Sequence, residues 1–385
     1  MLDYERIINF IRQIYNKPEG FIPLHKPLFF GNEKKYLSNC IDSTFVSSVG
    51  KYVEDFEQIL QKYTGVKRAI ATVNGTNALQ IALLGVGVEK NSEVITQSLS
   101  FIATSNAISY LHATPVYVDV DKSTMGMSPA FLLDWLKENV TLNKSNKPIN
   151  KNTNREISAC LPMHTFGNPC KIDKIVEVCD QYNIPVVEDA AESVGSFYKG
   201  KHTGNYGEAS VISFNGNKTI TTGGGGAILT NNNKLADHLK HLINQAKINH
   251  SWEYKHDFIG YNFRMPNVNA AIGLAQMEVI SSILDSKKKI FEKYRDFFNK
   301  IEIDFFSEPV DSNSNYWLNS VILNNREQRD EFLKIMNMNG INCRPIWSLI
   351  NNQNMYKNCQ HGDLSNSKWL EDRVVNIPSS PSLLN

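Results

Sequence analysis

At 385 residues, 42% of them hydrophobic and 21% charged, the chain is long enough for one large α/β unit plus a smaller one. Its formal charge of +1 excludes the strongly basic surface that would select nucleic acid or an anionic membrane. The six cysteines include no Cys-x-x-Cys pair and no tight Cys/His cluster, so neither a metal centre nor a disulfide frame is expected.

Residues 3–15 place Ile7, Ile8, Ile11 and Ile14 at helical spacing and predict a short amphipathic helix. The N-terminus lacks a basic segment followed by an apolar core, and no apolar run is long enough to span a bilayer, so a soluble cytoplasmic protein is expected. Pro-interrupted residues 21–30 read as extended, 32–45 and 52–63 as helices, and Ser47 to Gly50 as a loop. Strand–helix alternation then begins, the mark of an α/β unit. Strands are predicted at 69–73, 93–96, 115–120, 157–163, 185–188, 209–213 and 227–229, with helices at 76–84, 104–112, 129–138 and 172–182. Asn143 to Arg155, rich in Asn and Lys, reads as a surface loop. A long apolar helix is predicted from Asn267 to Lys289 and on toward Phe298. The rest reads as a small α+β unit with strands near 303–306, 316–323 and 342–344 and a helix at 328–337. The expected division is an arm at 1–30, a large domain at 31–275 and a small domain at 276–385.

Five stretches carry chemistry. In Val73-Asn-Gly75-Thr76 a strand ends, a glycine turns the chain and a helix opens; its amides suit a phosphate, though a plain helix cap has the same pattern. Ser100-Phe101-Ile-Ala-Thr104 sets an aromatic at the same sheet edge, where it can stack on a flat ring or simply join the core. In Val187-Glu188-Asp189-Ala-Ala-Glu192 an acidic pair ends a buried strand. Asp189 is the better candidate to face a protonated ring nitrogen, with Glu192 reaching the same ligand. Ser213-Phe-Asn-Gly-Asn-Lys218 runs on to Gly223–Gly226, setting a hydroxyl and one lysine in a loop suited to amine chemistry or to a flexible hairpin. Gly260-Tyr-Asn262-Phe-Arg264 adds an amide and a guanidinium.

In this order the motifs resemble the DegT/DnrJ/EryC/StrS family of pyridoxal-phosphate-dependent nucleotide-sugar aminotransferases, over residues 22–378. The resemblance implies the fold-type-I architecture: a large domain with a mixed seven-stranded sheet flanked by helices, and a small C-terminal α+β domain. It implies Lys218 as the Schiff-base lysine and proton shuttle, and Asp189 as partner of the pyridine nitrogen. Gly75, Thr76 and Ser213 would hold the phosphate, Phe101 would cover the ring, and Glu192 stands where many members carry Gln. Asn262 would reach the cofactor of a neighbouring subunit in a homodimer with shared sites, and Arg264, Arg344 and Trp347 would lie near substrate.

Ile22-Pro-Leu-His25, Cys343-Arg-Pro-Ile-Trp347 and Asn376-Ile-Pro look most like the legionaminic-acid branch. That branch implies L-glutamate as donor, pyridoxamine phosphate between half-reactions, and amination at C4 of a UDP-linked 2-acetamido-4-keto-6-deoxy hexose, with GDP or dTDP open. The alternatives are C3 amination of a 3-keto sugar, a non-catalytic regulator of the same fold, and the family's dehydratases, which carry histidine in place of Lys218.

Overall fold

The computed structural model describes residues 2–382. Seven strands of the described residues form the central layer: β1 (Arg68–Thr72), β2 (Glu93–Gln97), β3 (Thr114–Val118), β4 (Ile157–Leu161), β5 (Val187–Asp189), β6 (Ala209–Ser213) and β7 (Gly226–Thr230). They lie in the order β1-β7-β6-β5 and β3-β2-β4, joined edge to edge where Cys160 bridges Val186 and Met163 bridges Asp189. β7 runs antiparallel to β1 and β6, and the other strands run parallel. The sheet is therefore mixed and seven-stranded, as the alternation of elements predicts.

Helices cover both faces because nearly every residue of these strands is buried, which calls for apolar cover on each side. On one face α4 (Gly75–Gly85), α5 (Ile102–Tyr110) and α8 (Asn233–Ile243) pack against Ile70, Val94 and Ile228. On the other, α3 (Lys51–Thr64) and α9 (Asn267–Glu278) enclose Phe56, Phe214 and Ile212, with α2 (Glu33–Asp42) packed on α9. Two further helices, α6 (Pro129–Asn139) and α7 (Ile172–Asp180), close the β2–β4 end through Trp135 and Ile175.

The apolar run from Asn267 is two helices. It breaks at Val279 (φ −114°, ψ 9°), after which α10 (Ile280–Lys300) sets off. Ile280 and Ile283 of α10 still pack in the large core, whereas Ile290, Tyr294 and Phe298 belong to a second one. That second core includes Ile7 and Ile11 of α1 (Tyr4–Ile14), so the N-terminal helix packs with the C-terminal unit. Its sheet is antiparallel: β8 (Asp304–Phe305), β9 (Asn319–Ile322), β11 (Val374–Ile377) and β10 (Arg344–Pro345), in the order β8-β9-β11-β10, backed by α11 (Arg326–Met338).

Asn143 to Arg155 is not all loop. Val140–Leu142 and Pro148–Asn150 pair as an antiparallel hairpin. The turn is built by the Asn143 side chain, which accepts the amides of Ser145 at 2.9 Å and Lys147 at 3.0 Å. Among the described residues no helix is long and apolar enough to cross a membrane, and no group of three or more His, Cys, Asp or Glu could hold a metal. All six cysteines are free, five of them buried.

The carboxyl ends of β1, β2, β4, β5 and β6 share one edge, where open α/β sheets bind ligands. Gly226 starts β7 at that edge, opposite Thr72 and Ser213. A Cβ there would sit 2.6 Å from the Asn74 carbonyl carbon and 2.7 Å from the Gly75 nitrogen. Gly226→Ala is therefore expected to destabilise by about 2–3 kcal/mol and to displace the first turn of α4. Gly224→Ala, where no atom lies within 4 Å of the added carbon, should stay within about 0.5 kcal/mol. Urea denaturation of the two variants separates these outcomes.

Candidate active site

The β6–β7 loop carries Lys218. Phe214 donates its amide to the Gly225 carbonyl at 2.9 Å and accepts that of Thr222 at 3.0 Å, which closes the loop at its base. The four glycines have different tasks. Gly223 turns the chain at φ +81°, and Gly225 and Gly226 have no room for a Cβ. Gly224 stands in open space.

Lys218 Nζ lies 3.0 Å from Glu192 Oε1 and 4.1 Å from the centre of the Trp317 ring. Trp317 donates its indole N–H to the Asn217 carbonyl at 2.7 Å, fixing the residue next to the lysine. Glu192 Oε2 accepts the Phe166 amide at 2.9 Å. Burial pushes the Glu192 carboxyl up to about 7, against the pull of the Lys218 ammonium. The segment carrying Glu192 is not helical. After β5 it forms successive tight turns, with Ser193 donating to Ala190 at 3.0 Å and Ser196 to Ser193 at 2.8 Å.

Asp189, 2% exposed, closes the inner end of the cavity. Its Oδ2 accepts the Thr104 hydroxyl at 2.8 Å and its Oδ1 the Ala191 amide at 3.2 Å. Burial raises its pKa above the ordinary carboxylate value. The neighbouring Glu188 faces away and is structural. It accepts the amides of Gly204, Tyr206 and Gly207 and lies 3.0 Å from His164 Nε2. The Cys170 amide donates to His164 Nδ1 at 3.2 Å, which leaves the proton on Nε2, directed at Glu188.

Gly75 opens α4, and Asn74 caps it by accepting the Asn77 amide at 2.8 Å. A Cβ on Gly75 would fall 2.9 Å from Ser213 Cβ, so only glycine lets this helix start come so close to the end of β6. Gly75, Thr76 and Ser213 line an inner cavity of ≈ 250 Å³ together with Phe101, Thr104, Asp189, Glu192 and Lys218. Phe101, Glu192 and Lys218 also line an outer cavity of ≈ 680 Å³, shared with Trp317, Arg344 and Trp347. Trp347 lies 4.7 Å from the Phe166 ring and 6.4 Å from that of Phe101.

These residues fit pyridoxal phosphate. A helix start and a hydroxyl suit its phosphate, a buried carboxylate suits its ring nitrogen, and a lysine between them suits its carbonyl carbon.

Asn262 and Arg264 are elsewhere. Both lie outside the two cavities of their own chain. Asn262 is exposed and pairs with Asn244, while Arg264 pairs with Thr72 beside the end of β1. Sequence reasoning missed Asn315 and Trp317, which read only as the approach to, and the start of, the strand predicted at 316–323. Asn315 Nδ2 donates to the carbonyls of Glu192 at 2.8 Å and Val194 at 2.9 Å and lies 3.2 Å from Thr219 Oγ1, tying the Glu192 turns to the lysine loop. Thr104 stands inside a recognised motif, and its hydroxyl at a sheet edge was the available signal.

A profile of the DegT/DnrJ/EryC1/StrS aminotransferase family matches residues 30–385. The chain is 37% identical over 367 residues to a GDP-perosamine synthase of Escherichia coli O157:H7, with 95% of each chain covered. It is 34% identical to a GDP-perosamine synthase of Vibrio cholerae, covering 94% of this chain and 95% of that one. A DegT DnrJ EryC1 StrS aminotransferase from Brucella abortus superposes with a TM-score of 0.83 at 26% identity, over 92% of this chain and 91% of that one. The chain thus belongs to the DegT/DnrJ/EryC1/StrS aminotransferase family, with the fold-type-I architecture and pyridoxal phosphate as cofactor.

Proposed function

We propose that the enzyme moves an amino group from L-glutamate to C4 of a nucleotide-linked 4-keto-6-deoxy sugar, in two half-reactions at one site. The observation carrying this reading is the line from Asp189 through Lys218 and Glu192 to a mouth bearing Arg344 and Trp347. The legionaminic-like motifs favour UDP, while two relatives are named for a GDP-linked sugar, so GDP is the first nucleotide to test.

Pyridoxal phosphate, when bound, supplies an electron-withdrawing ring and the carbon that carries the amino group between donor and acceptor. Lys218 would hold that carbon, and its amine would take and return the proton at the reacting carbon of the substrate. Asp189 would keep the ring nitrogen protonated. Its burial strengthens the pairing, and Thr104 and Ala191 hold it in place. The amides opening α4 and the Ser213 hydroxyl hold the phosphate, and Phe101 covers the ring face. Arg344 suits the carboxylates of glutamate and the phosphates of the sugar nucleotide.

A homodimer is part of the same reading. Trp252, Tyr254, Phe258 and Ile259 are exposed on one connection, an apolar surface that suits a second copy. In this reading Asn262, just beyond them in the chain, completes the site of a partner.

Borohydride reduction of the holoenzyme should fix the cofactor to Lys218, visible as a peptide mass shift. Lys218→Ala should lose the shift and turnover on the order of 10⁴-fold. With glutamate and a panel of GDP- and UDP-linked keto sugars, NMR of the product should find the amine at C4. An amine at C3 would sink the positional claim.

Glu192 gives a pH test on cofactor-free protein. Its carboxyl titrates at about 7 in the fold against an ordinary 4.5, so the fold binds the extra proton between those values. The stability of the wild type relative to Glu192→Gln is therefore greatest below about pH 4.5. It should decline as pH rises to about 7, by about 3 kcal/mol in all. Equal pH profiles for the two proteins would refute the assignment.

A further inference from the structure

The outer cavity has one ring on its wall that the chemistry above does not use. Five aromatic side chains line that cavity: Phe21, Phe101, Phe166, Trp317 and Trp347. Phe166 and Trp317, 1% and 5% exposed, lie 6.2 Å apart. Trp347 packs between Phe166 and Phe101, and Phe101 also faces the inner cavity. Phe21 alone of the five has no aromatic ring beside it among the described residues, and it is 58% exposed.

That exposure does not come from a loose segment. Residues 21–26 run extended along the cavity and are tied to the C-terminal unit. Ile22 donates to the Gly340 carbonyl at 2.8 Å and accepts the Asn342 amide at 2.9 Å. Leu24 accepts the Ser379 amide at 2.7 Å, and Lys26 donates its amide to the Ser380 hydroxyl at 3.0 Å. On the N-terminal side the Lys17 ammonium donates to the Phe21 carbonyl at 2.7 Å. The Arg12 guanidinium donates to the carbonyls of Lys17 at 3.0 Å, Gly20 at 3.3 Å and Asn339 at 2.7 Å. Ile22, 1% exposed, belongs to the core of the C-terminal unit, so alternation along extended backbone turns Phe21 away from that core. The ring stands in solvent on a backbone fixed from both ends, which makes it a preorganised apolar face.

The shape of a sugar nucleotide decides which part of it meets this face. Its C4 must reach Lys218, at the inner end of the outer cavity. The diphosphate leaves from C1, across the hexose ring from C4. The base lies beyond diphosphate and ribose and is the end of the molecule farthest from C4. Arg344, exposed and lining the same cavity, offers its guanidinium to the diphosphate. It stands two residues beyond Asn342, whose amide pins Ile22, so cation and aromatic face rise from adjoining backbone. A flat apolar face beside a cation matches a base beside a diphosphate. Glutamate has no flat ring to offer it.

We propose that Phe21 is a specificity-determining residue that stacks on the nucleobase of the sugar nucleotide. The proposal rests on the nucleotide-sugar reading above and adds where this chain holds the base. Every base has a π-face, so the contact separates nucleotide-linked sugars from unlinked ones more sharply than one base from another.

Calorimetric titration of the holoenzyme with GDP, UDP and inorganic pyrophosphate tests this. Phe21→Ala should weaken the nucleoside diphosphates on the order of tenfold and pyrophosphate by less than about twofold. Phe21→Tyr keeps the flat face and should bind as the wild type does, whereas Phe21→Leu keeps apolar bulk without it and should resemble Phe21→Ala. In turnover, Phe21→Ala should raise the sugar-nucleotide KM on the order of tenfold, with the glutamate KM within about twofold of wild type. Where the wild type binds either nucleotide or aminates a sugar nucleotide, an unchanged Phe21→Ala, or one that loses pyrophosphate or glutamate by the same factor, overturns the inference alone. A wild type that binds neither nucleotide and aminates no sugar nucleotide overturns the acceptor reading, and the inference with it.

Discussion

A buried carboxylate that takes no part in the chemistry sets the geometry of the site. Glu188 accepts three backbone amides from the 204–207 loop and faces His164 on its remaining side. A carboxylate this deep is tolerable only when its oxygens are fully engaged, and four partners achieve that. Side chains alternate along a strand, so fixing Glu188 on one side of β5 fixes Asp189 on the other. The turn after His164 carries Phe166, whose amide holds Glu192, which in turn faces Lys218. Loss of Glu188 would therefore reach the lysine through two backbone segments without touching it.

The inner cavity was more legible in the sequence than the outer one, for a physical reason. Gly75, Ser213, Asp189 and Lys218 lie at or near the ends of sheet elements, where strand periodicity and turn residues locate them. Their neighbours follow from strand order. Trp317, Asn315 and Phe21 gain their positions from packing between the two ends of the chain, and no local pattern encodes such contacts. The helix from Asn267 was read as continuous because its apolar spacing hardly changes at Val279, and only the crossing from one core to another reveals the break. The Asn143 hairpin was missed because asparagine and lysine suit an exposed edge as well as a loop.

The two linked cavities divide the work by polarity. At the inner end, burial raises the affinity of Asp189 and Glu192 for protons, and the lysine between them is the local cation. The outer end sets an exposed guanidinium, Arg344, beside Trp317 and Trp347. A guanidinium at the mouth suits carboxylates in one half-reaction and phosphates in the next.

The extended segment 21–26 also bears on the order of events at the ribosome. It is made well before its hydrogen-bond partners Gly340, Asn342, Ser379 and Ser380. The lining of the inner cavity ends at Lys218, and that cavity closes once β7, which joins β1 to β6, has followed. The outer wall must wait for more than a hundred further residues, and Leu24 gains its Ser379 contact only near the end. A nascent chain could thus hold its cofactor before it has anywhere to seat a sugar.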